Sequence, residues 1–476
     1  MDTNNRARTP RVEGQLALAP RPAPSSAPSS SPSSASSPAL VLTASLLGFA
    51  LITLDTSVVN VALPSIGAEL GGGMSGLQWV VDAYTLAFAA LLLSTGAFSD
   101  RVGAARAYTI GIAVFTAASV ACGLAPNLGL LTGARMVQGV AAAVILPTTL
   151  ALVRQAYADP AQRSRAVSLW AVGGTVAAAL GPVAGGALTT AWDWRGIFFI
   201  NLPLGLVALA LATRLPRSVR RPAPLDLPGQ LTAVLALAAL AFAVIEGGTA
   251  GLVALGVAVV AGAVFLAVEV RQPHPVVPLG LLRNPVVAVA VAAGSACSVA
   301  FYGMIFVFSL YFQQVHHLSA LSAGLTFLPL TGLIPVVNMA SGRLANRYGP
   351  RRPMLIGQSV AVAGLLLLLL VGPGTPLPVM AVLLIPMGLG IGLALPPLTA
   401  AMMEAVPAER AGLAAGVLNA ARQVAGGLGV AGFGALVVGD FAGGLRTSLL
   451  ISAGLLAATA LATLTRLAPL RPAARY

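Results

Sequence analysis

The sequence predicts an all-α membrane protein of about fourteen transmembrane helices, built as two six-helix halves with two helices inserted between them. Three observations carry that expectation. Hydrophobic residues fill 57% of the 476 positions and charged residues only 9%, and mean hydropathy is +0.89. A water-exposed surface cannot be built from so little polar material. Apolar runs of roughly 18 or more residues recur along the chain, each able to cross a hydrocarbon core about 30 Å thick. Finally, GAFSDRVGAAR (96–106) is echoed by GRLANRYGPRR (342–352), so that Gly96, Arg101, Gly103 and Arg106 align with Gly342, Arg347, Gly349 and Arg352. Repeats at equivalent places in two halves are how alternating-access transporters are built.

Residues 1–38 are rich in Ser, Pro and Ala with scattered Arg, which predicts a disordered cytoplasmic tail. The first apolar run begins near Ala39, too far in and too poorly flanked for a cleavable signal peptide. Helices are expected at 40–62, 77–98, 107–124, 128–150, 166–189 and 196–213, making an N-terminal half over 39–214. A Pro- and Arg-rich break at 215–228 opens a linker, 215–284, that holds two inserted helices at 230–247 and 251–270. The C-terminal half, 285–466, reads as helices at 285–312, 321–341, 353–371, 378–400, 411–438 and 447–466. An even number of spans returns 467–476 to the cytoplasm as a second tail. Trp79, Trp192 and Trp194 fall at expected outer helix ends and Trp170 at an inner one, the depths that indole rings prefer. Outer loops are too short for an external binding module.

The net charge of +13 points to membrane orientation and away from nucleic acid. With the N-terminus inside, Arg101, Arg106, Arg154, Arg163, Arg165, Arg343, Arg347, Arg351, Arg352, Arg410 and Arg466 all fall on the cytoplasmic side, as the positive-inside rule requires. A nucleic-acid groove would cluster such charges with aromatics on one face. Every basic side chain is arginine; without lysine there is no Walker A loop and no Schiff base. Cys122 and Cys297 sit in apolar runs and read as core filler, and His274, His316 and His317 lie in expected loops without zinc spacing. No metal or other cofactor is expected.

The motifs resemble the fourteen-helix drug:proton antiporters of the major facilitator superfamily, over residues 54–436. LDTSVVNVALP (54–64) is similar to the first-helix signature, with Ser57 where Thr is usual. The 96–106 loop is similar to the one between helices two and three, with Ala104 and Ala105 replacing a basic pair. RMVQG (135–139) resembles the fourth-helix signature, and GPVAGG (181–186) the fifth-helix antiporter signature, with Ala177 in place of its leading Gly. Trp194-Arg195 with Asn201-Leu202-Pro203 resembles the opening of helix six, and Asn419, Arg422 and Gln423 fall where the family has polar residues in helix thirteen. The chain is similar in particular to actinomycete antibiotic-resistance exporters of the methylenomycin type. The resemblance implies the superfamily fold and export of small organic compounds from the plasma membrane. It also implies that proton entry is the energy source.

Ionisable groups inside a span are expensive and usually functional. Asp55, Asp82 and Arg135 lie about 8–11 Å from the outer ends of their helices at roughly 1.5 Å per residue, so they are expected to share a depth and meet. Burial disfavours a charged carboxylate and a neighbouring Arg favours it, which suits a proton-coupling site. A structural Asp–Arg pair is the plainer alternative. Gly173, Ala177, Gly181 and Gly185 give helix five a face of small residues beside the bend at Pro182, fit either for tight packing or for a sliding contact between halves. Asp100 and Arg101, set between Gly96 and Gly103, and their counterparts Asn346 and Arg347, are expected to latch the cytoplasmic mouth, the second latch weaker for want of a charge on Asn346.

Candidate substrate-cavity residues are Tyr84, Gln138, Tyr302, Tyr311, Asn338, Asn419 and Arg422. The tenth helix holds no acid where some members of the resembled family that export dications carry one, a departure that lowers the expectation of dicationic substrates; Arg422 would tolerate or favour an anionic or neutral one. Glu246, near an outer end, reads as interfacial or structural. Partners are therefore a small organic substrate, protons and the bilayer, with a monomer expected. Uptake of a nutrient would use the same frame but is disfavoured by the GPVAGG helix. A non-transporting sensor or scaffold has no use for three intramembrane charges, and no filter-like loop suggests a channel.

Overall fold

The computed structural model describes residues 37–467 apart from 217, 219, 221–225, 273, 274, 276, 278, 408 and 409. The expected tails at 1–38 and 467–476 fall almost wholly outside the described residues, as do His274 and part of the 215–228 break. Among the described residues every regular element is helical. In chain order they are α1 (Pro38–Leu70), α2 (Gly73–Val102), α3 (Ala104–Gly123), α4 (Leu128–Ala156), α5 (Pro160–Ala191), α6 (Gly196–Ala212), α7 (Leu227–Glu246) and α8 (Gly248–Arg271). There follow α9 (Pro285–Val315), α10 (Ala320–Tyr348), α11 (Arg351–Leu370), α12 (Leu377–Glu404), α13 (Ala411–Leu436) and α14 (Phe441–Arg466).

The sequence marks these boundaries chemically. Asn127, Asp159, Asp226, Asn284, Ser319 and Asp440 each cap a helix by accepting a backbone N–H, at 2.8–3.2 Å. Pro160 and Pro285 occupy first-turn positions, where a missing N–H costs nothing. Gly103 and Gly349, aligned in the repeated motif, both turn the chain at positive φ, +93° and +77°. The repeat is therefore one of backbone geometry as well as of letters. Most helices outrun their apolar stretches: the run expected at 40–62 is helical from Pro38 to Leu70. In a bilayer the chain satisfies its peptide groups internally, so the helix persists into the polar interface.

Twelve of the helices among the described residues are long and apolar enough to cross a membrane. The other two are α6 and α13. The first is short and interrupted at Ile200 between Gly196–Phe199 and Asn201–Ala212. The second has the length, but Asn419, Arg422 and Gln423 in mid-helix dilute its apolar character.

Packing repeats along the chain. The contacts α1/α5, α2/α4, α3/α4 and α3/α6 recur as α9/α13, α10/α12, α11/α12 and α11/α14. The first six helices meet the last six through α5/α10 and α2/α13, while α7 and α8 pair with each other and α7 also touches α2 and α13. Consecutive helices run antiparallel, so one end of the bundle gathers the arginines (Arg101, Arg154, Arg347, Arg466) and the other Trp79, Trp192 and Trp194.

The two ends are held differently. Toward the tryptophan end, one apolar cluster spans both groups, from Val58, Leu63 and Phe198 to Phe308, Phe312, Phe327 and Phe433. Toward the arginine end the core divides. One cluster holds Ile52, Tyr108 and Ile145 of the first group with only Ala420 from the last, and another holds Val287, Met354 and Met402. Hydrogen bonds between the groups follow the same rule among the described residues. Ser309 Oγ donates to Asn60 O (2.7 Å), Gln313 Nε2 to Val61 O (2.9 Å) and Gln78 Nε2 to Ala431 O (2.5 Å). The Leu321 N–H donates to Thr190 Oγ1 (3.1 Å) and Thr331 Oγ1 to Ala179 O (3.0 Å). All five lie between the bundle centre and the tryptophan end.

Candidate functional site

Asp55 of α1 and Arg135 of α4 are both fully buried, and Arg135 Nη1 meets Asp55 Oδ2 at 2.5 Å. Gln138 sits one turn on from Arg135, the spacing that puts both on one face of α4. Its Nε2 donates to Asp55 Oδ1 (3.2 Å), and its Oε1 accepts from Arg135 Nη1 (2.9 Å) and Cys122 Sγ (3.2 Å). Asn201 Nδ2, just past the break in α6, donates to Asp55 Oδ1 (2.8 Å) and to Ser119 Oγ (3.0 Å). Arg135 Nε donates to Val80 O of α2 (3.1 Å), and the Tyr84 ring lies 4.3 Å from the guanidinium carbon. Five helices thus converge on one buried ion pair. Such a pair repays desolvation only when its remaining donors and acceptors are filled; here both Asp55 oxygens and the Nε and Nη1 of Arg135 have partners.

Asp82 is not part of this network. Stepping along α2 by about 100° per residue turns Val80 and Tyr84 toward Arg135 and Asp82 away from it. Its carboxylate is fully buried, with neither oxygen hydrogen-bonded. It abuts α13, where a Cβ on Gly427 would lie 3.1 Å from Asp82 Oδ1. Of the three charges expected to meet, two do, and the third stands at the contact between the helix groups.

A small cavity opens beside it, lined by Thr56 and Asn60 of α1, Val81 and Thr85 of α2, Tyr302 of α9, and Gln423, Gly426 and Val430 of α13. Of the expected cavity residues, only Tyr302 lines it. Tyr84 and Gln138 are buried around Arg135 instead. Tyr311 is buried near the tryptophan end among Phe308, Phe312, Phe441 and His316. Asn338 directs its Oδ1 toward Gly392 of α12, without a partner. Asn419 and Arg422 are half-buried on α13.

The small face of α5 packs within its own group: Gly173 meets Leu46, Gly181 meets Ser57, and Gly185 meets the carbonyl of Val58, all on α1. Contact with the other group uses the neighbouring face. The carbonyl of Pro182 approaches Gly324, and Gly186 sits against Ala320 and Leu321. At the arginine end Gly96 faces open space, and Asp100, Arg101, Asn346 and Arg347 are exposed. The Arg347 guanidinium lies 5.2 Å from the Tyr348 ring. Asp100 makes no ion pair among the described residues.

Several residues do more than the sequence suggested. Asn201 and Ser119 complete the Asp55 shell; an Asn in an otherwise apolar twelve-residue segment was the available signal. Cys122 is a donor to Gln138, beyond a mere filler. Trp194 is buried, donating to Glu69 (2.7 Å), and so is structural where an interfacial ring was expected. Trp170 stacks on Phe49 at 4.1 Å. Arg195 joins Glu69 and Asp193, and the Glu69 hydrogen bond raises the Arg195 pKa above its ordinary value. Glu246 accepts from Ser75 and Trp79, both at 2.8 Å, tying α7 to α2. No group of three His, Cys, Asp or Glu side chains gathers among the described residues.

A buried ion pair in one of two equivalent six-helix groups, with a cavity between the groups, defines a membrane transporter. The Major Facilitator Superfamily model matches residues 45–430, and the chain belongs to that superfamily. It is 37% identical over 406 residues to the multidrug resistance protein Stp of Mycobacterium tuberculosis (strain CDC 1551 / Oshkosh), covering 84% of this chain and 75% of that protein. It is 37% identical over 403 residues to the methylenomycin A resistance protein of Streptomyces coelicolor, covering 83% and 85%. The fold also matches a crystal structure of the human organic anion transporter MFSD10, with a TM-score of 0.64 at 16% identity over 90% of this chain and 99% of that one.

Proposed function

We propose that this transporter exports small organic compounds, antibiotics among them, in exchange for protons by alternating access. In this reading the chain crosses the plasma membrane fourteen times, α6 and α13 included, acts as a monomer, and keeps both termini and the arginine-rich end in the cytoplasm. Residues 39–214 and 285–466 are the moving halves and 215–284 carries the inserted pair. The bundle is then sealed toward the outside and parted toward the cytoplasm. The repeated packing and the resistance proteins named above support the reading.

One observation carries it: Asp55 and Arg135 form a buried, hydrogen-bonded pair, while Asp82 stands unpartnered where the halves touch. A carboxylate without a donor costs several kcal/mol in such surroundings, and the neutral acid much less. Asp82 therefore keeps its proton while α13 lies against it and gives it up when the halves part there and water enters. Protonation of Asp55 frees Arg135 and loosens the α1–α4–α6 junction. Each charge moved across 100 mV contributes about 2.3 kcal/mol, a factor of nearly fifty in the substrate gradient.

The test uses an efflux-deficient host challenged with methylenomycin A, the compound in the name of one relative above, and with a panel of other antibiotics. The wild type is expected to confer resistance to at least one, and Asp55→Asn to abolish it at equal membrane abundance. Proteoliposomes holding the wild type should then release a proton gradient when that compound is added. Substrate-driven proton flux that survives in Asp55→Asn would refute the coupling role.

A further inference from the structure

We infer that Arg422 is an anion-binding site in the transport path, taking a carboxylate or similar oxyanion carried by the substrate. The inference rests on the transport reading above and names its ligand class. Arg422 stands near the middle of α13, half-buried. Its Nε approaches Ser298 Oγ of α9 at 3.4 Å, and no hydrogen bond holds its two terminal nitrogens among the described residues. The ion pairs among those residues are Arg135–Asp55, Arg195–Glu69 and Arg195–Asp193. Over the described parts of α9–α14 the only acids are Glu404, ending α12, and Asp440, capping α14. The last six helices thus hold a mid-membrane cation and no resident counter-ion.

The packing around that cation is built. A Cβ at Gly294 would lie 2.9 Å from Leu418 Cδ1 and 3.2 and 3.3 Å from Arg422 Cγ and Cδ, so the missing side chain makes room along α9 for the arginine stem and its leucine neighbour. The next residue, Gln423, lines the cavity with Tyr302 and Gly426. Asn419, one turn before Arg422, shares its face and adds a further polar group. The remaining intramembrane acid on an adjoining helix is Asp82, which abuts Gly427 five residues further along α13, about 7.5 Å in axial rise. It is not bonded to Arg422.

An uncompensated guanidinium in a membrane interior is costly. While the cavity is open, water offsets that cost. Once the halves close around a ligand the water is expelled, and closure then requires an anion to travel with the ligand. The planar fork of two free nitrogens matches a carboxylate in two parallel hydrogen bonds.

The experiment measures equilibrium binding to the purified full-length protein in nanodiscs, using naphthalene-2-carboxylate, the isosteric naphthalene-2-carboxamide and the cation 2-naphthylmethylammonium. The acid is expected to bind the wild type at least ten-fold more tightly than the amide or the amine. Arg422→Gln should erase that preference and Arg422→Lys keep most of it. Gly294→Ala, which retains the charge but moves the stem, should weaken the acid several-fold and leave the amide unchanged. Equal binding of acid and amide by the wild type, or no binding of either, overturns the inference, and so does a preference that survives Arg422→Gln. Should Arg422→Gln fail to fold, a Gly294→Ala protein with unaltered acid binding overturns it equally. Asp82→Asn is expected to leave acid binding within about two-fold of the wild type; a gain of about ten-fold or more would make Asp82 the resident counter-ion and refute the inference. No gradient is involved, so the binding result stands or falls separately from proton coupling, which the proteoliposome flux tests.

Discussion

Arg135 and Arg422 each lie inside a helix of the bundle, more than a turn from either end, and their surroundings are opposite. Arg135 is sealed among α1, α2, α3, α4 and α6, with its charge met by Asp55 and its other groups by Gln138, a backbone carbonyl and an aromatic face. Arg422 lies beside a cavity, with one long contact to Ser298. The helices that carry them are not counterparts in the repeated packing: α4 corresponds to α12, and α13 to α5. Position in the fold and neighbouring side chains therefore both separate them. Arg135 has its counter-charge supplied by the protein, and Arg422 has no acid bonded to it.

The widest break in this contrast comes from removing half of the sealed pair. Asp55→Ala leaves Arg135 buried without a counter-ion, a loss of about 3–5 kcal/mol. Thermal unfolding of the purified protein should register it, together with loss of resistance in cells. Wild-type stability in Asp55→Ala would mean that Arg135 is compensated elsewhere. Next comes Gly186, which meets the backbone at Ala320 and Leu321 where the groups touch. Gly186→Leu adds bulk with nowhere to go, an overpacking cost of about 1–3 kcal/mol. Transport is expected to stop while membrane insertion continues. By contrast Gly181 touches only Ser57 on α1, so Gly181→Leu should disturb its own group first.

That last distinction marks what was legible in the chain. Periodicity and motif spacing give α5 a face of small residues, and the face exists. They do not say which neighbour it meets, because that depends on how each helix is rotated in the bundle. Asp82 fails in the same manner: depth along the helix is readable from residue count, azimuth is not. Asp55 and Arg135 were found because both depth and partner were written in opposite charge. Asn201 and Ser119 were passed over because short polar side chains often satisfy themselves on the preceding helical turn, as Thr116 does on Ile112. Twelve helices long and apolar enough to span were legible from local composition, while α6, interrupted at Ile200, and α13, diluted by Asn419, Arg422 and Gln423, fall short of that measure.

A smaller effect belongs to the hydrogen bonds that join the groups near the tryptophan end. Gln78→Ala removes the donor to Ala431 and Gln313→Ala the donor to Val61. Each change should cost about 0.5–1.5 kcal/mol, and the two together should tilt the population toward an arrangement open at that end. A cysteine introduced at Ser309, whose hydroxyl meets Asn60 across the junction, would then react faster with a membrane-impermeant thiol reagent applied outside. An unchanged rate would mean that the apolar cluster of Phe308, Phe312 and Phe327 alone keeps this end shut.

The smallest expected change is the one that tests the contrast most directly. If Arg422 has no counter-ion within the protein, Arg422→Gln removes a desolvation cost and breaks no ion pair. Its effect on the unfolding free energy should stay within about 0.5 kcal/mol, or be stabilising. The same substitution at Arg135 strands Asp55 and should cost several kcal/mol. Measured side by side, the two variants compare an arginine whose opposite charge the protein supplies, fully buried, with a half-buried one that has none. Equal losses at both positions would mean that Arg422 is held by an internal partner, and the division between a structural arginine and a ligand-facing one would collapse.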